Sequence, residues 1–232
     1  MLHVPDLEVP EVRSRMTKPP VLKILILLTT LYAMLMMLHW PIGFTFFTQL
    51  SNLYAALIVI LQLLFRRPGK RLVLWKYTAA VSITMTFLVY LFALAPAVPG
   101  GLLAAYAQDH CASLCMHLIT PVLTVWDFLK NDAPASDWDN RFLPLSALPP
   151  FAYFAFILIL GQCGFRWWDM SAPYPFLNYT APAGWFGFLP ETAGYTTLGI
   201  GVFYVVIAMT ALFLLSGWLL LAAAKHRHNA GA

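Results

Sequence analysis

The sequence predicts an all-α integral membrane bundle of six transmembrane helices with both termini in the cytoplasm, and three observations carry this. Hydrophobic residues make up 60% and charged residues 10% of the 232-residue chain, against about 25% charged in an ordinary soluble domain. That leaves too few charges to coat a globule in water. Six stretches are continuously apolar over the roughly 20 residues a helix needs to cross a hydrocarbon core. They run from Val21 to His39, Phe44 to Phe65, Leu72 to Ala95, Cys111 to Leu129, Pro144 to Leu160, and Thr197 to Ala224. Barrel strands would instead alternate in polarity over about ten residues. Finally, all of the 14 Lys and Arg except Arg166 fall in alternate connecting segments. This is the positive-inside asymmetry, and it places both termini in the cytoplasm.

The domain organisation follows from these spans: a cytoplasmic tail over 1–20, a transmembrane domain over 21–224, and a second cytoplasmic tail over 225–232. The first tail holds Asp6, Glu8, Glu11 and several prolines. With so long an apolar run behind it and no small-residue cleavage pattern, it reads as the lead to a signal anchor. The turn from Arg66 to Arg71 reads as an orientation anchor, and the Lys225-His226-Arg227-His228 segment as a stop-transfer anchor. A disulfide-stapled module is excluded by only three cysteines. Cys111 and Cys163 fall near the outer face, where an oxidising compartment would let them pair, but buried free thiols are the favoured reading. The net charge of +4 describes topology, so no nucleic-acid partner is expected. No metal or cofactor is expected either: His226 and His228 point to different sides of a helix, while His39, His110 and His117 have no counterpart across the bilayer.

Function is sought in the polar residues that tolerate hydrocarbon depth only when they face the bundle interior. In the second span, Thr45, Thr48, Gln49 and Asn52 recur at three- and four-residue spacing with Ala55, Ala56 and Val59, one stripe along a helix. The third span carries Ser82 and Thr86; the fourth carries Ser113, His117, Thr120, Thr124 and Asp127. Counted at 1.5 Å per residue from the outer side, Thr48 lies roughly 6 Å and His117 roughly 9 Å deep. Pro121 lacks the N–H that would bond the His117 carbonyl, which loosens the helix at the histidine.

A hydroxyl beside an imidazole is the minimal nucleophile and base for attack on an ester carbonyl. Thr48 and His117 are the catalytic candidates. Gln49, Ser51 and Asn52 are supporting or oxyanion candidates, and Ser82, Thr86, Ser113, Thr120 and Pro121 are candidate pocket-lining residues. Asp127 lies about 15 Å along the helix from His117, so it is expected to cap the inner end or pair with Lys130, Arg141 or Lys76. Two plainer readings stand beside this one. Intramembrane Thr, Asn and His serve as hydrogen-bonding glue between helices, or the bundle is a non-enzymatic lipid or small-molecule binder, transporter- or receptor-like. The long outer loop over 161–196 is rich in aromatics, from Phe165 and Trp167 through Tyr174 and Trp185 to Tyr195. It reads as an interfacial belt or as a lid over the pocket.

Three short motifs, Phe46-Phe47-Thr48-Gln49-Leu50-Ser51-Asn52, His117-x-x-x-Pro121 with Trp126-Asp127, and Tyr174-Pro-Phe-Leu-Asn178, together resemble the Pr6Pr membrane proteins. That bacterial group is similar to the androgen-induced/FAR-17a proteins. The resemblance implies a multi-pass threonine hydrolase of fatty acid esters of hydroxy fatty acids, with Thr48 as nucleophile, His117 as its partner and membrane lipids as its surroundings. It also implies a bacterial inner membrane location. The polar run Gln49-Leu50-Ser51 departs from the animal pattern.

Overall fold

A computed structural model describes residues 20–65, 69–135, 137–194 and 197–231. The acidic and basic residues of the first tail up to residue 19, Arg66 and Arg67 of the first basic turn, and Tyr195 of the aromatic loop lie outside them. No β-strand forms among the described residues, only isolated bridges such as Trp167 with Met170. The helices are α1 (Val21–Met36), α2 (Phe47–Leu64), α3 (Lys70–Val89), α4 (Gly101–Leu114), α5 (Thr120–Asp127), α6 (Leu148–Gln162) and α7 (Val202–Gly231).

Five helical runs, Phe47–Leu64, Lys70–Ala97, Gly101–Asp132, Asn140–Gln162 and Val202–Asn229, are long and apolar enough to cross a membrane, and α1 is a shorter apolar helix. This is an integral membrane protein. Its helices run alternately up and down, so the start of α1, the ends of α2, α5 and α7 and the start of α3 share one end. We call it the basic end and the opposite one the loop end.

The basic end is filled. Lys23 Nζ lies 2.7 Å from Asp127 Oδ2 and Lys76 Nζ 2.9 Å from the same oxygen. Lys23 also donates to Gln62 Oε1 at 2.7 Å, Gln62 Nε2 donates to Asp132 Oδ1 at 2.9 Å, and Asn131 Nδ2 donates to Asp127 Oδ1 at 2.7 Å. Both Lys76 and Asp127 are fully buried. Asp127 therefore pairs with Lys76 and with Lys23, while Lys130 sits over the Trp126 ring and Arg141 pairs with Asp139. Tyr77, Phe128 and Trp138 close over this end as a ring cluster, and Trp138 Nε1 donates to the Ala133 carbonyl at 2.8 Å.

Several boundaries differ from the sequence reading. The fourth span starts ten residues earlier, at Gly101, and is broken by left-handed backbone at Asp109, His110 and Cys111, with φ of 51°, 55° and 66°. Non-glycine residues in that region carry strain of order 1 kcal/mol or more each and persist only where neighbours hold them. Here the Tyr32 hydroxyl donates to the His110 carbonyl and His39 approaches Asp109. The last helix starts at Val202 because Gly199, with φ of 69°, and Gly201 are tied into the loop by bonds to Leu189 and Gly187. It then continues through the second tail, where Lys225 donates to Asn140 and His228 meets Asp137. All three cysteines are free; Cys115 is buried, but Cys111 and Cys163 are exposed, because the break in α4 and the end of α6 turn them outward.

Candidate active site

The site grows from the start of α2. A 3-10 turn over Pro41–Thr45 and extended Phe46 deliver the chain into the helix without a side-chain cap on its first turn. The leading N–H groups of a helix need partners from elsewhere. Tyrosines from distant segments approach them. The Tyr174 hydroxyl meets the Thr48 hydroxyl and the backbone N–H groups of Thr48 and Phe47. The Tyr153 hydroxyl faces Phe47 and donates to the Thr45 carbonyl at 3.2 Å. Thr45 Oγ1 in turn accepts from Trp167 Nε1 at 2.6 Å, which pins the α6–α7 loop to the α1–α2 turn. Thr48 thus stands on the first turn of a helix, where the partial positive charge of the N-terminus favours a developing anion.

Beside it lies a small hollow, with a cavity volume of about 80 Å³, bordered by α2, α3, α6, α7 and the loop. Thr48, Thr86, Tyr90, Tyr153, Tyr174 and Thr210 are the hydroxyl-bearing residues of its wall, which is otherwise apolar, with Phe176 and Leu177 contributed by the loop. α6 packs on α3 and on the 3-10 turn before it but not extensively on α7. The flank between α6 and α7 is therefore loosely closed, and Phe151 on its rim is 49% exposed.

His117 sits one layer behind. It lies in a π-helical turn, Cys115–Ile119, immediately ahead of Pro121, which is where the missing proline N–H disturbs the helical ladder. Its Nδ1 is 2.9 Å from the Ser113 carbonyl. A carbonyl only accepts, so the neutral ring carries its proton on Nδ1 and keeps the Nε2 lone pair free to act as base. The ring stacks on Tyr90 at 3.6 Å, and the Tyr90 hydroxyl bonds Ser113 Oγ at 2.6 Å and the Ala105 carbonyl at 2.8 Å. Tyr90 borders the hollow and His117 does not. Among the described residues no hydrogen bond joins His117 to Thr48. The link is one residue removed: Asn52 Nδ2 donates to the Thr48 carbonyl at 2.8 Å and to the Met116 carbonyl at 3.2 Å, clamping the two helices together.

The other candidates are distributed around this clamp. Ser51 Oγ donates to the Thr48 carbonyl at 2.9 Å and pairs with Thr86 Oγ1 at 2.8 Å, so Thr86 reaches both the hollow and the α2 stripe. Gln49 and Asn52 are buried, and among the described residues Gln49 Oε1 and Asn52 Oδ1 have no hydrogen-bond partner. Ser82 borders a second slot, between α6 and the α2–α3 pair. Ser113 holds His117, Thr120 pairs with Thr29 at 2.9 Å, and Pro121 faces a groove beside α7. Tyr90, Tyr153 and Tyr174 were missed by residue spacing. Tyr90 was the accessible one, since it continues the Ser82, Thr86 series by one more step of four. No cluster of His, Cys, Asp and Glu among the described residues is built to hold a metal ion. Comparison with protein families, with curated proteins and with solved structures finds no match.

Proposed function

We propose that this protein is an intramembrane hydrolase of lipid esters in which Thr48 is the nucleophile and His117 the general base. The observation that carries the reading is the position of Thr48: a hydroxyl on the uncapped first turn of α2, on the wall of an apolar hollow whose flank faces lipid. An ester carbonyl beside Thr48 would direct its developing oxyanion at the α2 N–H groups and the Tyr174 hydroxyl. In this reading the Thr48 proton goes to His117 Nε2, which requires Tyr90 to give way to a bridging water, since among the described residues no hydrogen bond joins the two directly. The leaving alkoxide takes that proton back and departs as the alcohol, and water then hydrolyses the acyl-threonine to free fatty acid.

The resemblance to the Pr6Pr and androgen-induced/FAR-17a proteins supports fatty acid esters of hydroxy fatty acids as the substrate class. The charge asymmetry supports a six-span topology with the basic end and both termini cytoplasmic, and the family resemblance supports a bacterial inner membrane. The test is labelling by a fluorophosphonate probe together with fatty acid release. Thr48→Ala and His117→Ala are expected to abolish both while the protein remains folded; labelling that survives Thr48→Ala removes Thr48 from the mechanism.

A second reading, a lipid or small-molecule binder without turnover, is favoured by one observation. The Thr48 hydroxyl is already engaged by Tyr174, and Tyr90 stands in front of His117. Product release at many equivalents per protein decides for the hydrolase, and saturable stoichiometric binding without product for the binder.

A further inference from the structure

A second site lies on the opposite flank of the bundle and has no residue in common with the Thr48 hollow. It is a groove between α3, α5 and α7. Its walls are apolar, with Val122, Val125 and Leu219 among them, and its basic end is bordered by Lys130 and Arg227. Val122 and Leu219 are 51% and 55% exposed, so these walls face lipid and not protein.

The two cations at the head of the groove have no counter-ion among the described residues. At the same end Lys23 and Lys76 are paired with Asp127, Arg141 with Asp139, and His228 with Asp137. Among the described residues Lys130 and Arg227 make no ion pair; Lys130 has only the Trp126 ring, 5.6 Å from its Nζ. Two unneutralised cations at the head of one apolar groove are complementary to a single amphiphile with an anionic head.

The dimensions agree. At 1.5 Å per residue the groove runs roughly 14 Å from Pro121 to Lys130 and roughly 17 Å from Ser216 to Arg227. One leaflet of a bilayer core is roughly 15 Å deep. Trp126, 53% exposed beside Lys130, is the residue type that settles at headgroup level.

We propose that this groove holds one anionic phospholipid, its phosphate between Lys130 and Arg227 and an acyl chain along Val125 and Leu219. Basic pockets between transmembrane helices recognise acidic headgroups in this way. The proposal does not depend on the hydrolase reading and is tested without it.

The experiment equilibrates the purified full chain with micelles holding equal phosphatidylglycerol and phosphatidylcholine and counts bound lipid by native mass spectrometry. The wild type is expected to retain one phosphatidylglycerol in preference. Lys130→Gln/Arg227→Gln is expected to lose that adduct by roughly tenfold or more. Lys70→Gln/Arg71→Gln, which removes equal charge at the same end but away from the groove, is expected to stay within about twofold of wild type. Val122→Trp, which fills the groove and leaves its charge alone, is expected to lose the adduct too. Equal losses from the two charge pairs, or no headgroup preference in the wild type, would overturn the site. Full retention in Val122→Trp would overturn the seat of the chain.

Discussion

The two ends of the bundle solve the same problem in opposite ways. Each brings buried polar side chains together from several helices. At the basic end, Lys23, Gln62, Lys76, Asp127, Asn131 and Asp132 bond one another under a lid of Tyr77, Phe128 and Trp138, away from the Thr48 hollow. At the loop end, hydroxyls gather around an uncapped helix start and border an apolar space. Ions that neutralise each other inside a protein make a fastener. Hydroxyls at the edge of a space can exchange their neighbours for something that enters it. Polarity inside the bundle therefore has a different consequence where it adjoins a void.

Three substitutions put that contrast at risk. The largest effect is expected for Asp127→Ala, which leaves Lys23 and Lys76 without their shared carboxylate; breaking a buried pair this way costs about 3–5 kcal/mol. Thermal unfolding in detergent measures it. Lys76→Met/Asp127→Leu should recover most of the loss, since apolar replacement of a whole buried pair is often neutral; a double variant as unstable as the single one would give the cluster a role beyond fastening. Next comes Gly217→Ala on α7, whose added Cβ would lie 2.6 Å from Ser146 Cβ and 2.7 Å from the Tyr77 hydroxyl. Overpacking of this kind costs about 1–3 kcal/mol, and a neutral result would show that this half is looser than its contacts imply. The smallest is Tyr174→Phe, which removes one hydroxyl from the α2 start for about 0.5–1.5 kcal/mol of stability. Its effect should be seen mainly in fatty acid release or ligand uptake, and a change confined to unfolding would make Tyr174 a plain helix cap.

The centres of the spans were legible because an apolar run of helical length has few other uses. Their edges were not. The short helical stretch ahead of Gln108 was hidden by the left-handed backbone at Asp109–Cys111, which depends on Tyr32 and His39 from α1 and its C-terminal turn and has no local signature. Lys23 was read as one more orientation charge, and counting charges by side cannot tell a solvated anchor from a buried partner of Asp127. Thr48 and Asn52 were legible as one helical stripe, and Thr86 as part of a second on the next span. Tyr153 and Tyr174 were not, because they reach the start of α2 from more than a hundred residues away and no periodicity encodes that return. Tyr174 did stand within a recognised motif, yet nothing in the motif says which helix start its hydroxyl covers.

The loose seam between α6 and α7 has a kinetic meaning. A lipid visitor that reached Thr48 by this seam would slide in sideways without travelling as a solute, so the dose that counts would be its mole fraction among surrounding lipids and not its molarity. Diluting the bilayer with inert amphiphile, at fixed total amounts of protein and visitor, would empty the hollow just as surely as withdrawing the visitor itself.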